Sequence, residues 1–330
     1  LHQTNPSQAL KLAERYGRTT GDQAQRCGLN WVLAPVCDVN SNPDNPVINV
    51  RAWGEDPSSA SALTVAFLGG LKQAGVLGCA KQFPGHGDTT RDSHLYLPVL
   101  PHSRERLEQI ELAPFRAAIA AGVDSVMTAH LVLPELDPKQ PATLSKAVLT
   151  DLLRRQMRFN GLVVTDALVM EAISARHGAA EAAVLAFEAG ADLILMPADA
   201  DAAIDGLCDG FSSGRLCLGR LDESLQRRAH ALASIPTSTA SGPVVSADEQ
   251  ALEAELVRHS ITVGKAKVLP QAGINLVRVD AMVPSAAALS GWSPALRTPE
   301  AQGFAQSCFM AKGYRPGAAK RTLPWRWTAS

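Results

Sequence analysis

The chain has no run of 18 apolar residues, which excludes a hydrophobic helix of membrane-spanning length. It lacks charge bias as well: 31 Lys and Arg stand against 32 Asp and Glu, for a formal net charge of -1. No strong field draws such a chain to nucleic acid or to an anionic membrane. Its six cysteines (Cys27, Cys37, Cys79, Cys208, Cys217 and Cys308) never fall at CxxC spacing, so neither a zinc site nor a redox motif is indicated. Most have apolar neighbours and read as small buried hydrophobes, with a mild preference for a reducing compartment. There is no internal repeat. The first residue is Leu1, with no basic-then-apolar leader behind it, so the expectation is a fragment or a processed form. The expected location is cytoplasmic, with periplasm or secretion as alternatives.

What is present suits a globular protein of one large domain or two modest ones: 330 residues, 46% hydrophobic and 19% charged. Five apolar segments (31–36, 76–83, 125–132, 161–168 and 192–197) alternate with helical patterns. Leu107, Ile110, Phe115, Ala118 and Ile119 keep helical spacing after Ser103, a suitable N-cap. Leu149, Leu152, Leu153 and Met157 form an apolar stripe, and residues 181–189 an Ala-rich helix stopped by Gly190. Near-continuous apolar strands between helices predict a parallel sheet buried on both faces. A doubly wound sheet and a (β/α) barrel both fit that pattern. Residues 234–247, rich in Ser, Thr, Pro and Gly, read as a linker. The expected organisation is therefore a catalytic domain over 1–233, a linker over 234–247 and a partial α/β domain over 248–330. In the last, a helix is expected at 249–259 and strands at 261–263 and 274–279. From Ala301 onward there are five basic residues and no acidic one, with Trp325 and Trp327 among them. This reads as a disordered or truncated end, not a nucleic-acid tail.

The densest chemistry lies at residues 81–94, Lys-Gln-Phe-Pro-Gly-His-Gly-Asp-Thr-Thr-Arg-Asp-Ser-His. Pro84, Gly85 and Gly87 break regular structure after an apolar run, so titratable groups are presented on a loop at a strand end. Polar groups follow the other strands too: Asp38, Asn40 and Arg51 after the first, His130 after the third, Asp166 after the fourth. Convergence at one end of successive parallel strands is how a barrel builds an active site. Asp166 suits a nucleophile or general base, or alternatively an N-cap for a following helix. Asp92 and His94, two residues apart, can hydrogen-bond directly, the carboxylate orienting an imidazole that titrates near neutrality. Arg51 and Lys81 can donate to substrate hydroxyls. His130 reads as well as a satisfied core histidine. A metal set of His86, Asp88, Asp92 and His94 matches no common spacing, and no cofactor or metal is expected.

Taken together, Lys81-Gln-Phe-Pro-Gly-His-Gly with Asp92-Ser-His94 resembles the signature of glycoside hydrolase family 3, in its bacterial β-N-acetylglucosaminidase (β-hexosaminidase) subgroup. Leu33-Ala-Pro-Val-Cys-Asp-Val-Asn, Asn45-Pro-Val-Ile with Arg51, Met127-Thr-Ala-His130, Pro141-Ala-Thr-Leu-Ser145 and Gly161-Leu-Val-Val-Thr-Asp166 follow in the family's order over about residues 1–200. The resemblance implies a (β/α)8 TIM-type barrel and a retaining two-step hydrolase acting on N-acetylglucosaminides such as peptidoglycan fragments. It implies Asp166 as nucleophile, an Asp92/His94 acid–base dyad where most retaining enzymes use a second carboxylate, and Arg51, Lys81, Gln82 and His86 as residues that hold the sugar. Position 82 usually carries His in the family, and Ala167 stands where a second Asp is frequent. The five apolar segments match the last five strands of eight, and the Asp-Gln-Glu-Gly-Gly segment has no counterpart. The expectation is a barrel lacking its first strands, with two open edges, unstable or inactive by itself. An inactive sugar-binding fragment, a β-glucosidase of the same family and a metal-dependent hydrolase are the competing readings. The implied partner is a small carbohydrate, with no nucleic acid or membrane. Oligomeric state and the acceptor, water or phosphate, stay open.

Overall fold

A computed structural model describes residues 2, 5–236, 242, 245–260, 275–279 and 306–310. Contacts divide the chain into two units, Leu1–Ile261 and Thr262–Ser330.

In the first unit, β1 (Cys79–Phe83), β2 (Ser125–Thr128) and β3 (Leu162–Val164) form a parallel sheet in that order, with Cys79 beside Ser125 and Ser125 beside Leu162. Parallel bridges extend it on both sides. Trp31 and Val36 pair with Leu77 and Lys81, and Leu193 pairs with Val164. All five apolar segments thus lie in one sheet in chain order. A doubly wound sheet reverses its order at a switch point, whereas an unbroken sequential order is the wall of a (β/α) barrel. Alternate residues explain why these strands read as continuously apolar. Ala80, Val126 and Val163 pack with Phe67, Leu71, Phe115, Leu149 and Leu152 from the helices. Cys79, Met127 and Val164 pack on the other face with Leu33 and Leu195.

Helices follow and precede the strands. α1 (Pro6–Arg26) starts with Asn5 capping the Gln8 amide, and α2 (Pro57–Gln73) with Asp56 capping Ser59 at 2.8 Å. The two cross almost backbone to backbone. A Cβ on Gly17 would stand 2.1 Å from the Phe67 carbonyl oxygen, and one on Gly70 would stand 2.0 Å from that of Glu14. The single helix expected after Ser103 is two, α3 (Arg104–Gln109) and α4 (Ala113–Ala120). Pro114 explains the break, because it offers no N–H to the turn before it. Next come a π-wound helix (Ala147–Gln156), α5 (Glu171–Ser174), α6 (Ala179–Ala189), α7 (Ala200–Ser212) and α8 (Leu218–Ala233).

α9 (Ala247–Ser260) covers the helix expected at 249–259. It lies against α1, through an Arg15–Glu255 ion pair at 2.9 Å, an Arg26–Glu249 ion pair and a Gln8–His259 hydrogen bond at 3.3 Å. By contacts α9 falls in the first unit, which ends at Ile261. In the second unit β4 (Asn275–Val279) and β5 (Gln306–Met310) pair in parallel, Asn275 beside Gln306 and Val279 beside Met310. The expected strand at 261–263 and the two tail tryptophans lie outside the described residues. No helix among the described residues is long and apolar enough to cross a membrane.

Candidate active site

Asp166 leaves the end of β3 and is held on both oxygens. Its Oδ1 accepts the Ala167 amide at 2.9 Å, and its Oδ2 accepts Gln82 Nε2 at 2.7 Å. Its own amide donates to Thr128 Oγ1 at 3.4 Å. No helix begins at this residue: α5 starts at Glu171 with Met170 in the cap position, which removes the N-cap reading. Gln82 sits at the neighbouring strand end, buried, and its Oε1 has no hydrogen-bond partner among the described residues. Beside it, burial and then the nearby Arg51 charge hold the Lys81 ammonium below the usual lysine range. Arg51 closes a 3-10 turn (Asn49–Arg51), is exposed, and donates to the Val47 carbonyl at 3.2 Å.

The loop 84–94 is built around two buried groups that titrate in opposite senses. Asp38 is fully buried and accepts the His86 amide at 2.7 Å and the Gln82 amide at 3.3 Å. Burial outweighs those donors and raises its pKa to about 7. His86 is fully buried too. Its Nδ1 bonds Thr89 Oγ1 at 2.6 Å, its Nε2 bonds Ser93 Oγ at 3.0 Å, and its carbonyl accepts Asn45 Nδ2 at 2.8 Å. Burial pushes its pKa down to about 4, so the ring is neutral at pH 7. Both ring nitrogens of His86, one of the expected sugar-holding residues, bond side chains of the loop, so the ring braces it. Two glycines let the loop lie close to its support. Gly85 has φ +130° and a Cβ there would meet Glu111 Cβ at 2.8 Å, while one on Gly87 would stand 1.7 Å from the Val39 carbonyl oxygen.

At the far end of this loop the expected pair is formed. His94 Nδ1 and Asp92 Oδ1 are 2.6 Å apart, and the His94 amide donates to the same oxygen at 2.9 Å. Asp92 is buried, and its Oδ2 has no partner among the described residues. The His94 side chain is 39% exposed, and among the described residues its Nε2 makes no bond to the protein. The Glu171 amide donates to the His94 carbonyl at 3.4 Å, which ties the pair to the segment following Asp166. His130 is fully buried between Thr143 Oγ1 (2.8 Å from Nδ1) and the Ala167 carbonyl (3.0 Å from Nε2), and burial lowers its pKa. It is a satisfied core histidine that supports the peptide next to Asp166.

The alternative metal set is not brought together. His86 and His94 are engaged with loop side chains, and Asp88 turns away to His102 Nε2 at 2.8 Å and Arg106 Nη2 at 3.0 Å. His102, Arg106 and Glu111 escape a reading by motif, because they come from the next segment of the chain and carry no spacing signal.

The chain is similar to known proteins along most of its length. Residues 2–231 match the model of the glycosyl hydrolase family 3 N terminal domain. Beta-hexosaminidase A of Pseudoalteromonas piscicida is 34% identical over 343 residues, covering 96% of this chain and 57% of that protein. A beta-hexosaminidase of Neisseria gonorrhoeae is 37% identical over 206 residues, covering 62% and 56% respectively. The chain thus spans a little over half the length of these relatives. Among solved structures, a family 3 beta-N-acetylglucosaminidase from Paenibacillus sp. str. FPU-7 aligns with a TM-score of 0.77 and 35% identity, over 91% of this chain and 62% of that one. A beta-glucoside phosphorylase aligns with a TM-score of 0.79 and 27% identity, over 94% and 60%. The chain belongs to glycosyl hydrolase family 3.

Proposed function

We propose that this chain carries the catalytic site of a retaining β-N-acetylglucosaminidase that removes terminal β-linked N-acetylglucosamine, as from peptidoglycan fragments. The observation that carries the reading is the His94–Asp92 bond at 2.6 Å on a loop tied to the segment after Asp166. In the first step an Asp166 oxygen attacks the anomeric carbon. The bond to the leaving oxygen breaks as His94 Nε2 gives that oxygen its proton. In the second step His94 takes a proton from water, the water oxygen bonds the anomeric carbon, and the Asp166 carboxylate departs. Asp92 fixes the imidazole through Nδ1 and stabilises its charged form. Gln82 and the Ala167 amide hold the nucleophile. The unpartnered Gln82 Oε1, with Lys81 and Arg51 beside it, suits the polar edge of a sugar.

Release of p-nitrophenol from p-nitrophenyl N-acetyl-β-glucosaminide tests this, with Asp166→Ala and His94→Ala alongside. Activity lost in the first variant and strongly reduced in the second supports the assignment. Activity retained by Asp166→Ala rejects it. Phosphate in place of water is a second reading, favoured by the likeness to a beta-glucoside phosphorylase. The same assay run with inorganic phosphate separates the two by its product, free sugar or sugar 1-phosphate.

A further inference from the structure

Beneath the loop that carries Asp92 and His94 lies a charged cluster that the mechanism above does not use. Asp88 Oδ2 bonds His102 Nε2 at 2.8 Å and Arg106 Nη2 at 3.0 Å. The same guanidinium reaches Glu111 Oε1 at 3.3 Å and Ser41 Oγ at 3.4 Å. Glu111 is 2% exposed, and burial raises its pKa. Asp88, His102 and Glu111 offer ligand atoms within 4.8 Å of one another. Arg106 already spans the two carboxylates, so the cluster holds its own cation and works as a tie between two chain segments.

That tie grips the loop beside its internal brace. His86 and Thr89, bonded to each other at 2.6 Å, flank Asp88 in sequence. His86 Nε2 then bonds Ser93, which lies between Asp92 and His94. Glu111 packs under Gly85 at the loop's entry, where no Cβ fits. A continuous path of bonds therefore runs from His102 and Arg106 through Asp88 and the 86–89 turn to Ser93 and the dyad. By contrast Thr90, Arg91, Leu95 and Tyr96, outside this path, are exposed.

We propose that His102 and Arg106 are positioning residues for proton transfer: by fixing Asp88 they set the loop geometry that aims His94 Nε2 at the leaving oxygen. The proposal rests on the acid–base role given to His94 above. A group that serves only proton delivery matters in proportion to how badly the leaving group needs a proton. A dinitrophenolate leaves without help, and a sugar alcohol does not.

The test compares kcat/KM for 2,4-dinitrophenyl N-acetyl-β-glucosaminide and for N,N'-diacetylchitobiose in the parent chain, His94→Ala, His102→Ala and His102→Gln, each checked for an unchanged circular dichroism spectrum. His94→Ala is expected to lose about 10²–10⁴-fold on the disaccharide and far less on the activated glycoside. For His102→Ala the same signature is expected at roughly tenfold, because the acid is misplaced but not removed. His102→Gln, which keeps an N–H for Asp88, restores most of the loss. Equal losses on both substrates in His102→Ala, or none on the disaccharide, overturn the proposal. Absence of leaving-group dependence in His94→Ala itself overturns the dyad reading and takes this proposal down with it. If His102→Ala does not fold, Asp88→Asn, which keeps an acceptor but drops the charge, is read in the same way.

Discussion

Aspartates at the two ends of the parallel strands are treated in opposite ways. Asp192 stands where the last strand begins, and its two oxygens accept five hydrogen bonds. The donors are Arg154, the Val163 amide, Arg220 at 3.0 Å, Ser224 at 2.7 Å and Arg227 at 3.2 Å. Asp124, at the start of β2, likewise accepts the Gly78 amide at 2.8 Å. Each carboxylate ties the beginning of one strand to its neighbour. At the opposite end Asp38 is buried facing backbone donors, Asp92 keeps one oxygen bare, and Gln82 and Asn40 each bury an oxygen with no partner among the described residues. Saturated charges stiffen a fold, whereas unfilled polar atoms cost stability and are retained where a ligand completes them. The division matches the rule that barrel chemistry sits at the carboxyl ends of strands and stability determinants at the amino ends.

Exchanging one carboxylate at each end is the sharpest way to break this contrast. Asp166→Asn is expected to lower kcat by on the order of 10⁴-fold while leaving the urea midpoint unchanged or raised. Asp192→Asn is expected to cost about 3–5 kcal/mol of stability, because three arginines lose the one carboxylate they share. Its kcat per folded molecule should match the parent. A stable Asp192→Asn protein, or one that is folded but inactive, would mean that the two ends are not divided in this way.

A smaller effect concerns pH. The raised pKa of Asp38 means that the folded state binds a proton more tightly than the unfolded chain between about 3.8 and 7, so stability falls as pH rises through that window. The lowered pKa of His86 has the opposite sign, because the unfolded chain binds the proton between about 4 and 6.5, and stability rises with pH there. Each contributes a slope of up to about 1.4 kcal/mol per pH unit, and the two nearly cancel. Urea midpoints between pH 4.5 and 6.5 should therefore be flat for the parent in this respect. Asp38→Asn should uncover a protein that weakens in acid, and His86→Gln one that weakens toward neutrality. Parallel pH curves for both variants would remove the pairing of these two groups.

Much of this was legible in residues 81–94 and in the Val-Val-Thr-Asp run before Asp166, because short-range features declare themselves. An Asp–His pair two residues apart can bond within one loop, and a carboxylate after an apolar strand must lie at that strand's end. The choice of barrel over doubly wound sheet needed the order of strands, which hydrophobic periodicity does not carry. The surroundings of His86 were hidden for a related reason. Its neighbours in sequence are polar, but the chain folds back over it, so that Asn45 bonds its carbonyl and Ser93 its ring. The same limit hid the Asp88–His102 bond and the docking of α9 on α1, whose partners lie 14 and more than 200 residues apart.

The smallest predicted effect on stability is also the one that tests the contrast at a single side chain. Gln82 gives its Nε2 to Asp166 and leaves its Oε1 buried and bare. A leucine of similar size removes both atoms. At Asp192 such a change would only destabilise, since both its oxygens are in use. At Gln82 the loss of one hydrogen bond is offset by the removal of an unsatisfied buried carbonyl, each worth roughly 1–3 kcal/mol. Gln82→Leu should therefore leave the thermal midpoint unchanged within a few degrees, or raise it, while kcat/KM falls by about tenfold to a hundredfold as the proposed nucleophile loses its donor and the proposed sugar site a hydrogen-bonding group. Gln82→Glu separates the two atoms, because it keeps an acceptor but places a second carboxylate against Asp166. Its activity should fall further than that of Gln82→Leu and recover toward low pH, where the added carboxyl takes up a proton and can donate again. If Gln82→Leu instead unfolds the protein at full specific activity, Gln82 belongs with Asp192 as a structural tie, and the bare oxygen has no functional meaning.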